Sequence, residues 1–151
     1  MHIGHINLTA SFNGVGANFV ALVESLQQHA IQQYILVRNI ELAKRLALVE
    51  GVTVGPIVRT PLTAYCLMPQ VDVVHIHDQS SRTAGILLAL TRSVPYVLTQ
   101  HETKTASDNA LNRSARKRAS GFIADNEVGI CQHLQVYRRA MDSLRIPTVL
   151  L

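Results

Sequence analysis

Three short stretches of the sequence carry residue types and spacings that can do chemistry. GVGANF, Gly14 to Phe19, follows the first apolar run and comes within one residue of the dinucleotide fingerprint GxGxxG. DVVHIHDQSS sets His75 and His77 two residues apart, with Asp78 directly behind them. VLTQHETK places His101 just past another apolar run, at the head of a polar loop. These stretches suggest a phosphate-approaching loop, a histidine pair with metal-ligand spacing, and a lone histidine able to touch a ligand.

A dinucleotide loop needs glycine almost directly after its strand, a third glycine for close helix packing, and an acid ending the second strand. Here Thr9 to Asn13 intervene before Gly14, Phe19 holds the third glycine position, and the second apolar run ends in Arg38 and Asn39. Arg38 suits a 2′-phosphate but answers only one of the three failures. An NADP-binding domain is therefore the third choice of function. The feature that remains is a helix entrance at Gly14, Val15 and Gly16, where the backbone can approach an anion or a hydroxyl-rich ligand.

An HxH pair at a strand end also occurs in metal hydrolases, but such a site needs more ligands in register. His101 offers a third, and no second cluster follows. The expectation is that no metal binds, and that His75 is a buried histidine satisfied by backbone partners. Ser11 and Ser80 have no spacing that builds a Ser–His–Asp triad.

These residues must be held by a scaffold, and size and composition bound it. The chain has 151 residues, 48% hydrophobic and 16% charged, as expected of one globular domain with a real core. No apolar run is long enough to span a bilayer, and MHIGHINL lacks the pattern of a secretory signal. Cys66 and Cys131 are far apart and lack metal-ligand spacing, so reduced thiols in a cytoplasmic protein are expected. The net charge is +4. Much of the excess lies in 101–119, where Lys104, Arg113, Arg116, Lys117 and Arg118 outnumber Glu102 and Asp108. Such a cluster favours an anionic ligand or a membrane surface, with a solvated helix face as the plain alternative. Nucleic acid is not expected, because no aromatic residue interleaves with it.

Apolar, strand-like runs alternate with helical patterns along the chain. Strands are predicted at 2–8, 34–37, 52–58, 71–77, 95–99 and 121–124, with a seventh on the terminal PTVLL. Between them, Phe19, Leu22, Val23 and Leu26 mark one helical face, 40–50 form an amphipathic helix closed by Gly51, and Pro61 leads a helical turn. Ser80 or Ser81 caps the next helix, a basic helix spans 110–119, and Ile130, Leu134, Tyr137, Met141 and Leu144 mark a last stripe. The predicted fold class is α/β: a Rossmann-like parallel sheet flanked by helices on both faces. Ligands of such sheets sit at the C-terminal strand ends, so the loops after strands one, four and five carry the candidate sites.

Taken in order, S-x-x-G after strand one, DVVHIHD ending strand four and P-Y-V-L-T-x-H at strand five resemble the N-terminal domain of GT-B-fold glycosyltransferases. The likeness is to the retaining, group 1 type numbered family four, and it spans essentially the whole chain. It implies one half of a GT-B fold, with residues 1–151 as a single acceptor-side domain and the donor-binding C-terminal domain, on the same or a separate chain, as partner. The implied function is sugar transfer from a nucleotide-sugar, UDP- or GDP-linked, to a carbohydrate or lipid-linked acceptor in polysaccharide biosynthesis. No tightly bound cofactor is implied, and the chain alone is expected to be inactive.

By the same resemblance, His101 is the catalytic histidine beside the transferred sugar, and Gly14, Val15 and Gly16 meet donor phosphates and acceptor. His77 and Asp78 stand at the cleft edge with a mainly structural role. Lys104, Arg113, Arg116 and Lys117 face the acceptor or a membrane, which implies a cytoplasmic protein peripheral at the inner membrane face. The sequence departs from the family in spacing its glycines at 14 and 16 and in carrying Asp125-Asn126 where a serine is usual. The rival readings are a sugar-nucleotide epimerase of the same fold, whose Gly-Thr-Arg-Pro-Glu run is missing, and a non-catalytic docking module or split-enzyme subunit.

Overall fold

A computed structural model of the chain describes residues 1–12, 14–100, 110–124 and 130–142. The predicted α/β class is the one observed. Six parallel strands form one sheet in the order β3-β2-β1-β4-β5-β6. The strands are β1 (His2–Asn7), β2 (Gln32–Val37), β3 (Val52–Val54), β4 (Val73–Ile76), β5 (Tyr96–Gln100) and β6 (Gly121–Ala124). The helices are α1 (Gly14–Gln27), α2 (Ile40–Leu46), α3 (Pro61–Leu67), α4 (Arg82–Arg92), α5 (Ala110–Arg118) and α6 (Ile130–Asp142). The predicted seventh strand lies outside the described residues.

Local chemistry explains most boundaries. The Asn39 side chain accepts the Leu42 N–H at 2.9 Å, and Glu41 and Lys44–Arg45 lie at the helix ends whose dipole they complement. Helix α2 ends at Leu46, short of the predicted residue 50. Leu48 and Val49 donate to the Arg45 and Leu46 carbonyls in tighter, three-residue turns. Gly51, at φ +74°, therefore serves the turn into β3 rather than the helix cap. Strand β3 is shorter than predicted because Pro56 cannot donate to a ladder. Even so, Gly55 and Val58 still donate to the β2 carbonyls of Ile35 and Val37.

Strands β1, β2, β4 and β5 carry buried residues on both faces. Ile6, Leu36, Val74, Ile76, Tyr96 and Leu98 pack with Ala64 of α3, Met68 just beyond it, Ala84 and Leu88 of α4 and Ala115 of α5. The opposite face carries Ile3, Val73 and Val97 against Leu26 and Ala140, and Ile35 and Val37 against Phe19, Val23, Leu42 and Leu46. The helices α1, α2 and α6 cover that side. Sheet order reverses between β1 and β4, which makes the space beyond their C-terminal ends the topological switch point.

Candidate functional site

Asp78 ties the switch point together. Its carboxylate accepts the Leu8 N–H from the end of β1 at 2.9 Å, the Ser80 N–H at 2.9 Å and the Ser81 hydroxyl. Asp78, not Ser80 or Ser81, therefore caps the 3-10 turn Gln79–Ser81 that leads into α4; Ser81 makes no side-chain cap bond. With three donors already on its oxygens, Asp78 holds the two strand ends in place.

Asn7 ends β1 beside this clamp, fully buried. Its Oδ1 accepts both the Thr9 N–H at 3.0 Å and the Thr9 hydroxyl at 2.5 Å. A backbone N–H needs an acceptor, so these bonds fix which end of the amide is oxygen. The Nδ2 is left over, the one buried side-chain N or O atom among the described residues without a hydrogen-bond partner. Such an orphaned donor costs about 1–3 kcal/mol.

The two glycines divide in role. A Cβ at Gly14 would meet nothing within 4 Å, so the first turn of α1 is open there to an approaching group. A Cβ at Gly16 would strike the Phe12 ring at 2.8 Å, and the Arg45 guanidinium covers that ring at 4.2 Å. Gly16 is thus a packing glycine. Val15 lies between them in α1, its side chain outside the described set. Arg82, 4% exposed at the start of α4, acts on the Tyr96 phenol, on the opposite face of the sheet from Asn7.

Beneath Asn7 runs a row of buried imidazoles on the α1 side of the sheet. In the parallel register His5 of β1 stands opposite His75 of β4, and His77 lies two residues further on. His5 Nδ1 is 3.1 Å from His77 Nε2, and His5 Nε2 is 3.1 Å from Gln33 Oε1. Gln33 Nε2 donates to the Val23 carbonyl at 2.9 Å, so its Oε1 must accept from His5. His5 therefore carries its proton on Nε2 and its lone pair on Nδ1. Burial pushes the His5 imidazole down to about 3, against the opposing pull of the Gln33 bond. His75 Nε2 meets the Thr99 hydroxyl, and Phe19 lies 4.1 Å from the His77 ring centroid to centroid. His75 is buried as expected, with the Thr99 hydroxyl among its partners.

Among the site residues expected from sequence, Gly14, His77 and Asp78 fall together at the switch point, and Lys117 is exposed on α5. His101 and Lys104 lie outside the described residues, as do the side chains of Arg113 and Arg116. His5, Asn7 and Gln33 were not expected at a site. Their sequence signal is slight: polar residues inside strands that are otherwise apolar. Among the described residues no helix is long and apolar enough to cross a membrane.

No protein-family model matches the chain, and no curated protein does. Solved structures do. One is phenylacrylic acid decarboxylase from Aquifex aeolicus, 14% identical, with a TM-score of 0.51 over 99% of this chain and 98% of that one. Another is MT0777, 8% identical, with a TM-score of 0.56 over 94% and 98%. At these identities the likeness is one of fold.

That finding corrects the glycosyltransferase reading. The similar structures match along nearly their whole length and include a decarboxylase, not the acceptor half of a retaining GT-B enzyme. The nucleotide-sugar substrate and the role in polysaccharide biosynthesis fall with it. The docking-module, split-subunit and NADP alternatives gain nothing from the comparison. The physical reason lies in what the motif residues do. Gly16 makes room for Phe12, Asp78 staples two strand ends, and His75 and His77 fill the sheet core. Any sheet of this topology can use such residues for packing, so their order along the chain does not single out sugar transfer.

Proposed function

We propose that the chain is a ligand-binding Rossmann-like domain whose ligand is a small anionic molecule, a carboxylate or a phosphate monoester, seated where β1 and β4 part. The orphaned Asn7 Nδ2 carries this reading. A buried donor at the switch point is satisfied by a ligand oxygen, and the bond is stronger if that oxygen is charged. The open first turn of α1 at Gly14 favours the same sign of charge. The similar fold of a protein titled phenylacrylic acid decarboxylase makes an aryl carboxylic acid the first probe.

Calorimetric titration of the chain with phenylacrylate, flavin mononucleotide, riboflavin and inorganic phosphate tests this reading and separates the two sources of the anion. Saturable binding of phenylacrylate alone assigns a carboxylate; binding of flavin mononucleotide but not riboflavin assigns a phosphate ester. The Asn7→Asp variant keeps an acceptor for Thr9 and replaces the donor with a like charge. Its affinity for the bound probe should fall at least about tenfold, the worth of one hydrogen bond to a charged group. Equal affinity in Asn7→Asp, or no binding of any probe, would overturn the reading.

A further inference from the structure

The imidazole row lies deeper than the proposed anion site and calls for its own explanation. His5, His75 and His77 are 0%, 0% and 1% exposed. One ring nitrogen from each can be chosen so that all three lie within 4.8 Å of one another. We propose that His5, His75 and His77 form a binding site for a single first-row transition-metal ion of the kind imidazoles suit, zinc foremost. This goes beyond the anion reading and stands or falls without it.

Three observations carry the proposal. Donors on a tetrahedral ion with Zn–N bonds of about 2.0–2.1 Å lie roughly 3.3 Å apart, and His5 Nδ1 and His77 Nε2 are already 3.1 Å apart. The row is also oriented from outside. Gln33, itself fixed by Val23, holds the His5 proton on Nε2 and turns the Nδ1 lone pair toward His77. Thr99 meets His75 Nε2 on the far side of the row. Ligating histidines are commonly oriented in this way through their other ring nitrogen. Finally, the topology supplies the set from two neighbouring strands. A two-residue spacing across the end of β4 puts two rings 3.8 Å apart centroid to centroid, and the β1 register adds the third. A set of three histidines matches the protein ligands of zinc sites that leave a fourth position open.

Uptake requires the His77 Nε2 to give up its bond to His5 Nδ1, its proton moving to the other ring nitrogen. The ion then takes the place of that hydrogen bond. Asp78, next in sequence, already accepts three hydrogen bonds, so the ligand set is neutral and the ion keeps its charge.

The test uses the full chain stripped by a chelator, with Zn²⁺ or Co²⁺ added alone. One ion per chain should bind, with Kd below about 1 µM for zinc. The thermal midpoint should rise, and cobalt should give the intense visible absorption of a four-coordinate site. X-ray absorption of the zinc form should count three imidazole nitrogens. His75→Asn should weaken binding at least about 100-fold, and Gln33→Leu about 10–100-fold. A His2→Asn, His29→Asn double variant, which removes two exposed imidazoles, should bind as the parent does. Failure of the folded parent to take up one ion, or fewer than three imidazoles in its absorption spectrum, would overturn the proposal. These two readouts need no variant, so they decide the matter even if His75→Asn does not fold. Unchanged affinity in a folded His75→Asn would also overturn it.

Discussion

The two faces of this sheet are built from the same strands yet differ in kind. The face toward α3, α4 and α5 packs buried strand residues that, among those described, are apolar apart from Tyr96, whose hydroxyl donates to the Ala115 carbonyl at 2.6 Å. The face toward α1 carries Asn7, His5, Gln33, His75, His77 and Thr99, all buried. Strand alternation makes this possible: neighbouring residues point to opposite faces, so Ile6 and Ile76 stay in oil while His5, His75 and His77 do not. Buried polar groups are kept only with partners, and one apolar face suffices to hold a domain together. The contrast is between a face packed through apolar contacts and a face that adds a buried polar network to its apolar core.

The largest expected difference is in acid. His5 is depressed to about 3 when folded, against an ordinary 6.5. Between those values the unfolded chain takes up a proton that the folded chain does not. Stability is therefore full above pH 6.5 and falls as pH drops, by about 1.4 kcal/mol for each unit. Over the window this amounts to about 5 kcal/mol for the metal-free chain, a large share of a typical domain's stability. Urea unfolding from pH 7 to pH 4 should show this limb; a flat profile would erase the distinction between the faces.

A smaller effect is expected on the apolar side. Ile76→Ala, in the α4 face of the same strand as His75, should lower stability by about 3 kcal/mol through lost burial and a residual cavity. That loss should be the same at pH 5 and pH 7. A strongly pH-dependent loss would mean that the two faces are not separate.

The smallest effect belongs to Tyr96. Burial lifts its phenol from 10 to about 12, with Arg118 and Arg82 opposing. Between these values the unfolded chain loses a proton that the folded chain keeps, so stability is full below pH 10 and falls as pH rises. Tyr96→Phe should cost about 1 kcal/mol at pH 7 by removing the bond to Ala115, and should flatten the alkaline limb. An unchanged alkaline limb in this variant would assign it to other groups.

The fold was legible because apolar runs and helical stripes alternate without a break, and a strand covered on both faces needs little more than that. Helix and strand ends were less so. The predicted ends of α2 and β3 missed because turn geometry at Leu46 to Gly51 and the missing N–H of Pro56 set them, not periodicity. Of the site, Gly14, His77 and Asp78 could be read as residues of a strand-end region. Asn7 and His5 could not, because their meaning depends on which strand lies beside β1 and in what register. Parallel partners are joined by long crossovers, so the pairing of His5 with His75 leaves no local trace in the sequence. The ordered motifs misled for a related reason: packing demands at Gly16 and Asp78 can be mistaken for the demands of a reaction.

In the proposed site the Asn7 amide donates to a ligand. This donation is tested most directly by following the Asn7 side-chain NH₂ signals in a ¹⁵N-labelled chain as phenylacrylate or flavin mononucleotide is added. Those two signals should shift saturably, in step with the calorimetric binding curve. Binding that leaves them unmoved while other signals shift would contradict it.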